Sequence, residues 1–231
     1  MPAVVPLQGR FTEKVIQRNP KEILEATKNR LAFGRGNVWT DIKHNEGESY
    51  KRTLGAMAVG SSRQYRNESR NLFDGIPPKL HARLKDVLPF AVMGAGNCME
   101  HAVVAMFQTN HKYPGKYIWL MSWGGGDHQF LLVGHNNNMN ASMVIDAWES
   151  EQNGKPYNNS AWRHDHNKIE SPTPLVADGQ DYLGLAIERL GDTREMVDYG
   201  IAEGNKKSRG IDFSSYNAFK ESSPEFKIYN F

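Results

Sequence analysis

The 231-residue chain lacks several features that mark particular classes of protein. No stretch approaches the ~18 consecutive apolar residues that a membrane-spanning helix needs, so we expect no membrane span. The chain has one cysteine, which excludes a disulfide within it and is compatible with a reducing compartment. The first residues do not place a basic segment before an apolar one, so we expect no Sec signal peptide.

Charge is distributed unevenly along the chain, although the net charge is only +2. Residues 1–90 carry 16 Lys and Arg against 9 Asp and Glu, while residues 91–231 carry 12 against 17. The basic part could face an acidic partner, a membrane surface or nucleic acid, or could be a solvated face. Its charges are scattered and lack the interleaved aromatic residues of nucleic-acid modules, so we predict no nucleic-acid partner.

Length and composition favour a single catalytic domain over residues 1–231, with residues 1–35 as a flexible or accessory segment. Apolar periodicity and proline positions indicate helices, and their candidates are residues 20–31, 77–90, 98–107 and 178–203, the last broken at Gly191. The segment 34–75 is rich in Gly, Asn, Ser and Arg, which predicts loops around short elements. Strand candidates separated by turns predict an antiparallel meander, and they are residues 117–123, 127–134 and 142–148.

Cys98 follows a glycine-rich turn and begins an apolar run of helical length. The positive end of a helix dipole and a nearby imidazolium both favour the thiolate form that attacks a substrate. Gly94 and Gly96 would let a substrate backbone approach closely, and the N–H of Cys98 would be available to an oxyanion. We therefore predict that Cys98 is a nucleophile, with Gly96 and Asn97 positioning the substrate or the oxyanion.

His128 and Asp146 are the predicted partners of that nucleophile. His128 begins the second strand candidate, and Asp146 lies near the end of the third, in the apolar sequence VIDAW. A carboxylate in such a setting is costly to bury without a hydrogen-bond donor. An imidazole on the neighbouring strand would supply the donor, and the carboxylate would fix its tautomer for work as a base.

The neighbours of these three residues have less specific interpretations. Glu100 is expected to favour the helix dipole, although it could also orient the turn or accept a hydrogen bond from His101. His101 and His135 are expected to lie outside the chemistry. Trp148 could shield the hydrogen bond between His128 and Asp146 or simply pack in the core, and Gly124–Gly126 could line the cleft beside His128.

Three segments, GNCMEHAVVAM, DHQFLLVG and MVIDAW, resemble the papain-like, or transglutaminase-like, cysteine hydrolases, above all their bacterial effector and toxin branch. The resemblance covers about residues 94–148. It implies an α+β, papain-like fold, with the nucleophile at the N-terminus of a helix packed on an antiparallel sheet that carries the His and the Asp. Cys98, His128 and Asp146 would then form the triad. The amide side chain that precedes the cysteine in papain is replaced here by Val92.

The same resemblance implies a cysteine protease or a glutamine deamidase, working through a thioester on a protein substrate and without cofactor or metal. The substrate would be a host protein. The protein would be made in the bacterial cytoplasm and secreted by a specialised system into the host cytosol.

Three other interpretations stay open at the level of sequence. His164 and His166, with His128 or Asp127, could hold zinc in a metal-dependent hydrolase, although three or four converging ligands are needed. An arylamine N-acetyltransferase-like acyltransferase would use the same triad with another acceptor. A binding domain would simply bury Cys98 as a small apolar residue.

Overall fold

The structure, a computed structural model, describes residues 20–123, 128–148, 153–160, 168–169, 173–223 and 229. Within these residues the protein is an α+β structure with nine α-helices and an antiparallel sheet, which confirms the predicted class. None of the described helices is long and apolar enough to cross a membrane. Most of the predicted accessory segment, residues 1–19, lies outside the described residues.

Nine helices are described, and in chain order they are α1 (Pro20–Arg30), α2 (Trp39–His44), α3 (Glu48–Ser61), α4 (Arg63–Glu68), α5 (Pro78–Met93), α6 (Cys98–Lys112), α7 (Tyr182–Leu190), α8 (Arg194–Lys207) and α9 (Tyr216–Ser222). The described strands are β1 (Gly34–Arg35), β2 (Ala95–Gly96), β3 (Tyr117–Ser122), β4 (Gln129–Gly134), β5 (Met143–Ile145), β6 (Lys168–Ile169) and β7 (Leu175–Val176). All four helical candidates of the sequence are confirmed. Gly191 separates α7 from α8 with a φ of 69°, a left-handed conformation that glycine adopts readily.

The prediction of loops around short elements for residues 34–75 is wrong, because that segment contains the 14-residue helix α3. The small residues of α3 serve close helix packing. A Cβ atom on Gly55 would lie 2.3 Å from the carbonyl oxygen of Gly200 on α8. Tertiary packing therefore keeps a glycine inside a helix, where intrinsic propensity disfavours it by about 1 kcal/mol.

The described residues form two compact units. One lies within residues 1–27 and 105–181 and is called the sheet unit below; its core cluster consists of Trp119, Met121, Phe130, Leu132, Val144 and Tyr157. The other lies within residues 28–104 and 182–231 and is called the helical unit; its cluster consists of Trp39, Ile42, Tyr50, Leu54 and Phe219. The single catalytic domain over residues 1–231 stays a prediction.

The sheet confirms the predicted antiparallel meander. β3 pairs with β4 from Tyr117 opposite Gly134 to Ser122 opposite Gln129, and β4 pairs with β5. β6 and β7 pair antiparallel with β3. β3 and β4 have buried interiors, as their nearly continuous apolar sequences require.

Candidate active site

Cys98 is the first residue of α6 and is buried, with 6% of its surface exposed. The turn before it contains β2, which pairs in parallel with β1. The N–H of Gly36 extends this pairing by donating to the carbonyl oxygen of Gly96 at 3.0 Å. The turn that leads into Cys98 is therefore held in place by a segment about sixty residues earlier in the chain.

An ion pair holds that earlier segment in place. The Nε and Nη2 of Arg35 donate to the two carboxylate oxygens of Asp41 at 2.9 and 2.8 Å, and the backbone N–H of Arg35 donates to the same carboxylate at 2.8 Å. Burial raises the pKa of Asp41, but the hydrogen bonds and charge of Arg35 outweigh burial and leave that pKa below its ordinary value. Asp41 is thus ionised across the neutral range and anchors β1.

Glu100 closes the start of α6. Its Oε2 accepts a hydrogen bond of 2.7 Å from the N–H of Asn97, the residue before the helix, which is one half of a capping box. A Cβ on Gly96 would lie 2.6 Å from the Cβ of Glu100, so only glycine leaves room for this contact. Glu100 therefore orients the turn, and Gly96 has a structural role besides its predicted position near the substrate.

Asn97 contributes its carbonyl oxygen to the helix start. This oxygen accepts from the N–H of His101 at 3.1 Å and from His101 Nδ1 at 2.8 Å. The side-chain Oδ1 of Asn97 is buried and has no hydrogen-bond partner among the residues that the structure describes. The Asn97 side chain is thus not used as a helix cap, and its predicted contact with an oxyanion stays a prediction.

The burial of Glu100 leads to a prediction about stability. Burial raises the pKa of Glu100, although the hydrogen bond from Asn97 opposes the shift. Because the folded protein then holds this proton more tightly than the unfolded chain, the free energy of unfolding should fall as pH rises from the ordinary Glu pKa through the raised value. Glu100→Gln keeps an oxygen for Asn97 but cannot ionise, so its stability should not show this fall.

Urea unfolding between pH 4 and pH 8 measures the effect. The control is Glu188→Gln, which removes an exposed carboxylate from α7 and should follow the wild-type dependence on pH. Identical pH dependences for wild type and Glu100→Gln would contradict the prediction.

In the sheet unit, His128 and Asp146 form the hydrogen bond that the sequence predicts. Nε2 of His128 lies 2.7 Å from Oδ2 of Asp146, and the two residues are only 5% and 1% exposed. The sheet register explains the contact. Leu131 pairs with Ile145, so Asp146 follows β5 opposite Phe130, and His128 lies two residues before Phe130 on the same face.

Both oxygens of the Asp146 carboxylate are engaged. Oδ1 accepts from the backbone N–H of Trp148 at 3.0 Å, while Oδ2 accepts from Nε2–H of His128. The carboxylate thus stabilises the tautomer that carries its proton on Nε2. Nδ1 is then the basic nitrogen of the ring, on the side away from the carboxylate.

Trp148 covers this pair. Its ring centroid lies 4.9 Å from that of His128, and the residue is only 6% exposed. The ring of Phe130 also lies near, with centroids 6.3 Å apart from His128. An apolar cover lowers the local dielectric and strengthens the hydrogen bond beneath it. The contact supports the first of the two roles considered for Trp148, shielding the pair from water.

Asn153 holds the backbone of Asp146. Its Oδ1 accepts from the N–H of Asp146 and its Nδ2 donates to the carbonyl oxygen of Asp146, both at 2.7 Å. The following residues run along the outer edge of β5, since the N–H of Gly154 donates to the oxygen of Val144 at 3.0 Å. The amide of Asn153 therefore replaces a strand partner where β5 ends. The Asn-Gly pair signals the turn but not this contact.

Asn153→Ala should lower the free energy of unfolding by about 1–3 kcal/mol, because it leaves two buried backbone groups of Asp146 without their partner. The variant should also move the NMR signals of the His128 imidazole, since Asp146 positions that ring. Asn137→Ala, in the exposed turn after β4, is the matched control and should change neither quantity. An unchanged His128 spectrum in Asn153→Ala would contradict the positioning of Asp146 by Asn153.

Cys98 belongs to the helical unit, whereas His128 and Asp146 belong to the sheet unit. Gly124–Gly126, Asp127, His164 and His166 lie outside the described residues. Among the residues that are described, no group of three or more His, Cys, Asp or Glu side chains is arranged to hold a metal ion. Comparison of the chain with protein-family models, curated proteins and solved structures finds no match.

Proposed function

We propose that the protein is a thiol-dependent hydrolase acting on an amide bond of a protein substrate. The observation that carries this proposal is the hydrogen bond of 2.7 Å between His128 and Asp146 beneath Trp148. Burying a carboxylate with an imidazole is costly and is weak evidence for stability. The same arrangement orients an imidazole for proton transfer, which favours a catalytic role.

Cys98 is the proposed nucleophile. As the first residue of α6 it lies where the helix dipole favours a thiolate and where backbone N–H groups have no intrahelical acceptor. Those groups are suited to stabilise an oxyanion. Neither feature depends on a ligand or on a distant side chain.

The proposal includes a papain-like arrangement in which His128 acts on Cys98. The 15 residues of α6 make a helix about 22 Å long, and the six residues of β3 make a strand about 20 Å long. The four residues Tyr113–Lys116 join them, a short connection of the kind common between successive elements. This chain order, a helix that begins with the cysteine and then the strands that lead to His128 and Asp146, is the order that the papain-like resemblance implies.

The proposed reaction has two stages. The Cys98 thiolate attacks the carbonyl carbon of the amide, and the tetrahedral oxyanion collapses to a thioester while His128 gives a proton to the departing amine. His128 then takes a proton from water, which attacks the thioester, and the carboxylic acid and the thiolate are released. The amine is a peptide N-terminus in proteolysis and ammonia in glutamine deamidation. Asp146 stabilises the imidazolium throughout.

Mass spectrometry of a host-cell lysate treated with wild type or with Cys98→Ala tests this function. We expect changes that require Cys98: new peptide termini indicate a protease, and a mass increase of about 1 Da on Gln or Asn indicates deamidation. The absence of any change that depends on Cys98 would count against both activities. A change that persists in Cys98→Ala and disappears with a chelator would instead indicate a metal-dependent hydrolase.

A further inference from the structure

The helical unit contains a surface cavity of about 350 Å³, called the basic cavity below, which is lined by Arg66, Ser69, Phe73, His81, Ala82 and Lys85. None of these residues takes part in the proposed thiol chemistry. We propose that the basic cavity binds a small phosphomonoester. Its volume falls within the roughly 300–1,000 Å³ typical of small-molecule sites.

The charges at this cavity are positive. Arg66, at the end of α4, and Lys85, on α5, are exposed, and neither forms a salt bridge with any residue in the described part of the chain. No acidic side chain is found among the described residues that line it. Guanidinium and ammonium groups are the preferred partners of phosphate oxygens, with Arg able to donate two parallel hydrogen bonds.

Asp86 follows Lys85 on α5 but is not among the residues that line the cavity. Burial raises the pKa of Tyr65, and the charge of Asp86 raises it further. The Tyr65 hydroxyl donates to the carbonyl oxygen of Lys85 at 2.8 Å. The side chain of Lys85 lines the cavity, while its backbone carbonyl accepts this hydrogen bond.

A buried hydroxyl, an imidazole and an aromatic ring complete the lining. Ser69 is only 2% exposed, and its hydroxyl donates to the carbonyl oxygen of Arg66 at 3.3 Å. Nε2–H of His81 donates to the carbonyl oxygen of Ile76 at 2.7 Å, which fixes the ring and leaves Nδ1 as its other polar atom. The ring of Phe73 packs on His81 with centroids 5.5 Å apart. His81 also lies in the first turns of the 16-residue α5, whose positive dipole end favours an anion.

These features favour a phosphate attached to a small apolar group. The two cations suit the phosphate oxygens, and Phe73 with Ala82 offers an apolar wall for the rest of the ligand. Free phosphate could bind the same cations but would leave the apolar wall without a contact. Comparing inorganic phosphate with phenyl phosphate therefore distinguishes a site for free phosphate from a site for a phosphomonoester.

Calorimetric titration of the full chain with each compound, at constant ionic strength, tests the proposal. We expect saturable binding of both, with phenyl phosphate the tighter ligand. Arg66→Gln and Lys85→Gln should each weaken binding about tenfold, the effect of losing one charge-assisted hydrogen bond. Lys79→Gln is the matched control, since it removes an exposed charge of α5 outside the cavity and should change affinity less than twofold.

Two further results bear on the proposal. Cys98→Ala should bind both ligands like wild type, because the basic cavity does not contain Cys98; the outcome is thus separate from the thiol chemistry. Equal binding of inorganic and phenyl phosphate would overturn the phosphomonoester in favour of free phosphate. The absence of saturable binding, or equal weakening by Lys79→Gln, would overturn the site itself and indicate only diffuse positive charge.

Discussion

Replacing Asp146 with asparagine is expected to reduce turnover of a Cys98 substrate by about 10³–10⁴-fold while the protein stays folded. The reason lies in the two partners of this carboxylate. Oδ1 accepts from the N–H of Trp148, so an asparagine must keep its oxygen there and turn its NH₂ group toward His128. Nε2 of His128 would then have to accept, which moves the ring proton to Nδ1 and removes the base.

The measurement is turnover of the modified peptide identified in the lysate experiment, together with the ¹⁵N chemical shifts that report the His128 tautomer. Asp192→Asn, which removes an exposed carboxylate, should retain activity within twofold. The rate of Cys98 alkylation by iodoacetamide at pH 6 gives a second readout that needs no substrate, and it should fall in Asp146→Asn. Wild-type activity with an unchanged His128 tautomer would contradict the proposed role of Asp146.

Replacing Gly55 with alanine is expected to destabilise the helical unit by about 3 kcal/mol. The new Cβ would lie 2.3 Å from the carbonyl oxygen of Gly200, and backbone cannot move aside as a flexible side chain can. Overpacking costs about 1–3 kcal/mol and occasionally more. The same crossing is tight at Gly204, where a Cβ would lie 2.2 Å from the carbonyl oxygen of Lys51. Because α3 and α8 are in close backbone contact at both positions, they cannot easily move apart at Gly55 alone.

Gly60→Ala is the matched control on α3. Its Cβ would meet only the Cγ of Pro89 at 3.6 Å, an ordinary van der Waals distance. Helix propensity should then stabilise this variant by up to about 1 kcal/mol. Urea unfolding of both variants measures the difference, and a Gly55→Ala protein as stable as Gly60→Ala would contradict the close crossing of α3 and α8.

Local patterns in the sequence predict the elements around the candidate site. A glycine-rich turn before an apolar run marks the start of α6 at Cys98. Two apolar strands separated by a polar turn fix the register of β4 and β5, and with it the hydrogen bond between His128 and Asp146. These features depend on neighbours in the sequence or on one turn, which is why a single sequence suffices for them.

Contacts that follow no helix or strand period could not be predicted in the same way. The Asn153–Asp146 and Arg35–Asp41 contacts span only seven and six residues, but the conformation of the chain between the partners, not a residue pattern, brings them together. The Asn97–Glu100 spacing did carry a signal, since an acid three residues after a helix-capping residue is typical of a capping box. The glycines of α3 led to the wrong prediction of loops, because glycine occurs both in turns and where two helices cross closely.

The parallel pairing of β1 with β2 has a consequence for the order of folding. This pairing closes a loop of about sixty residues. The chain must therefore lose the conformational entropy of closing that loop before the turn that precedes Cys98 can form completely. Contacts of such large sequence separation form slowly compared with helices. The thiol environment of Cys98 should therefore mature after α6 itself, and during refolding helical circular dichroism should recover before the native reactivity of the cysteine.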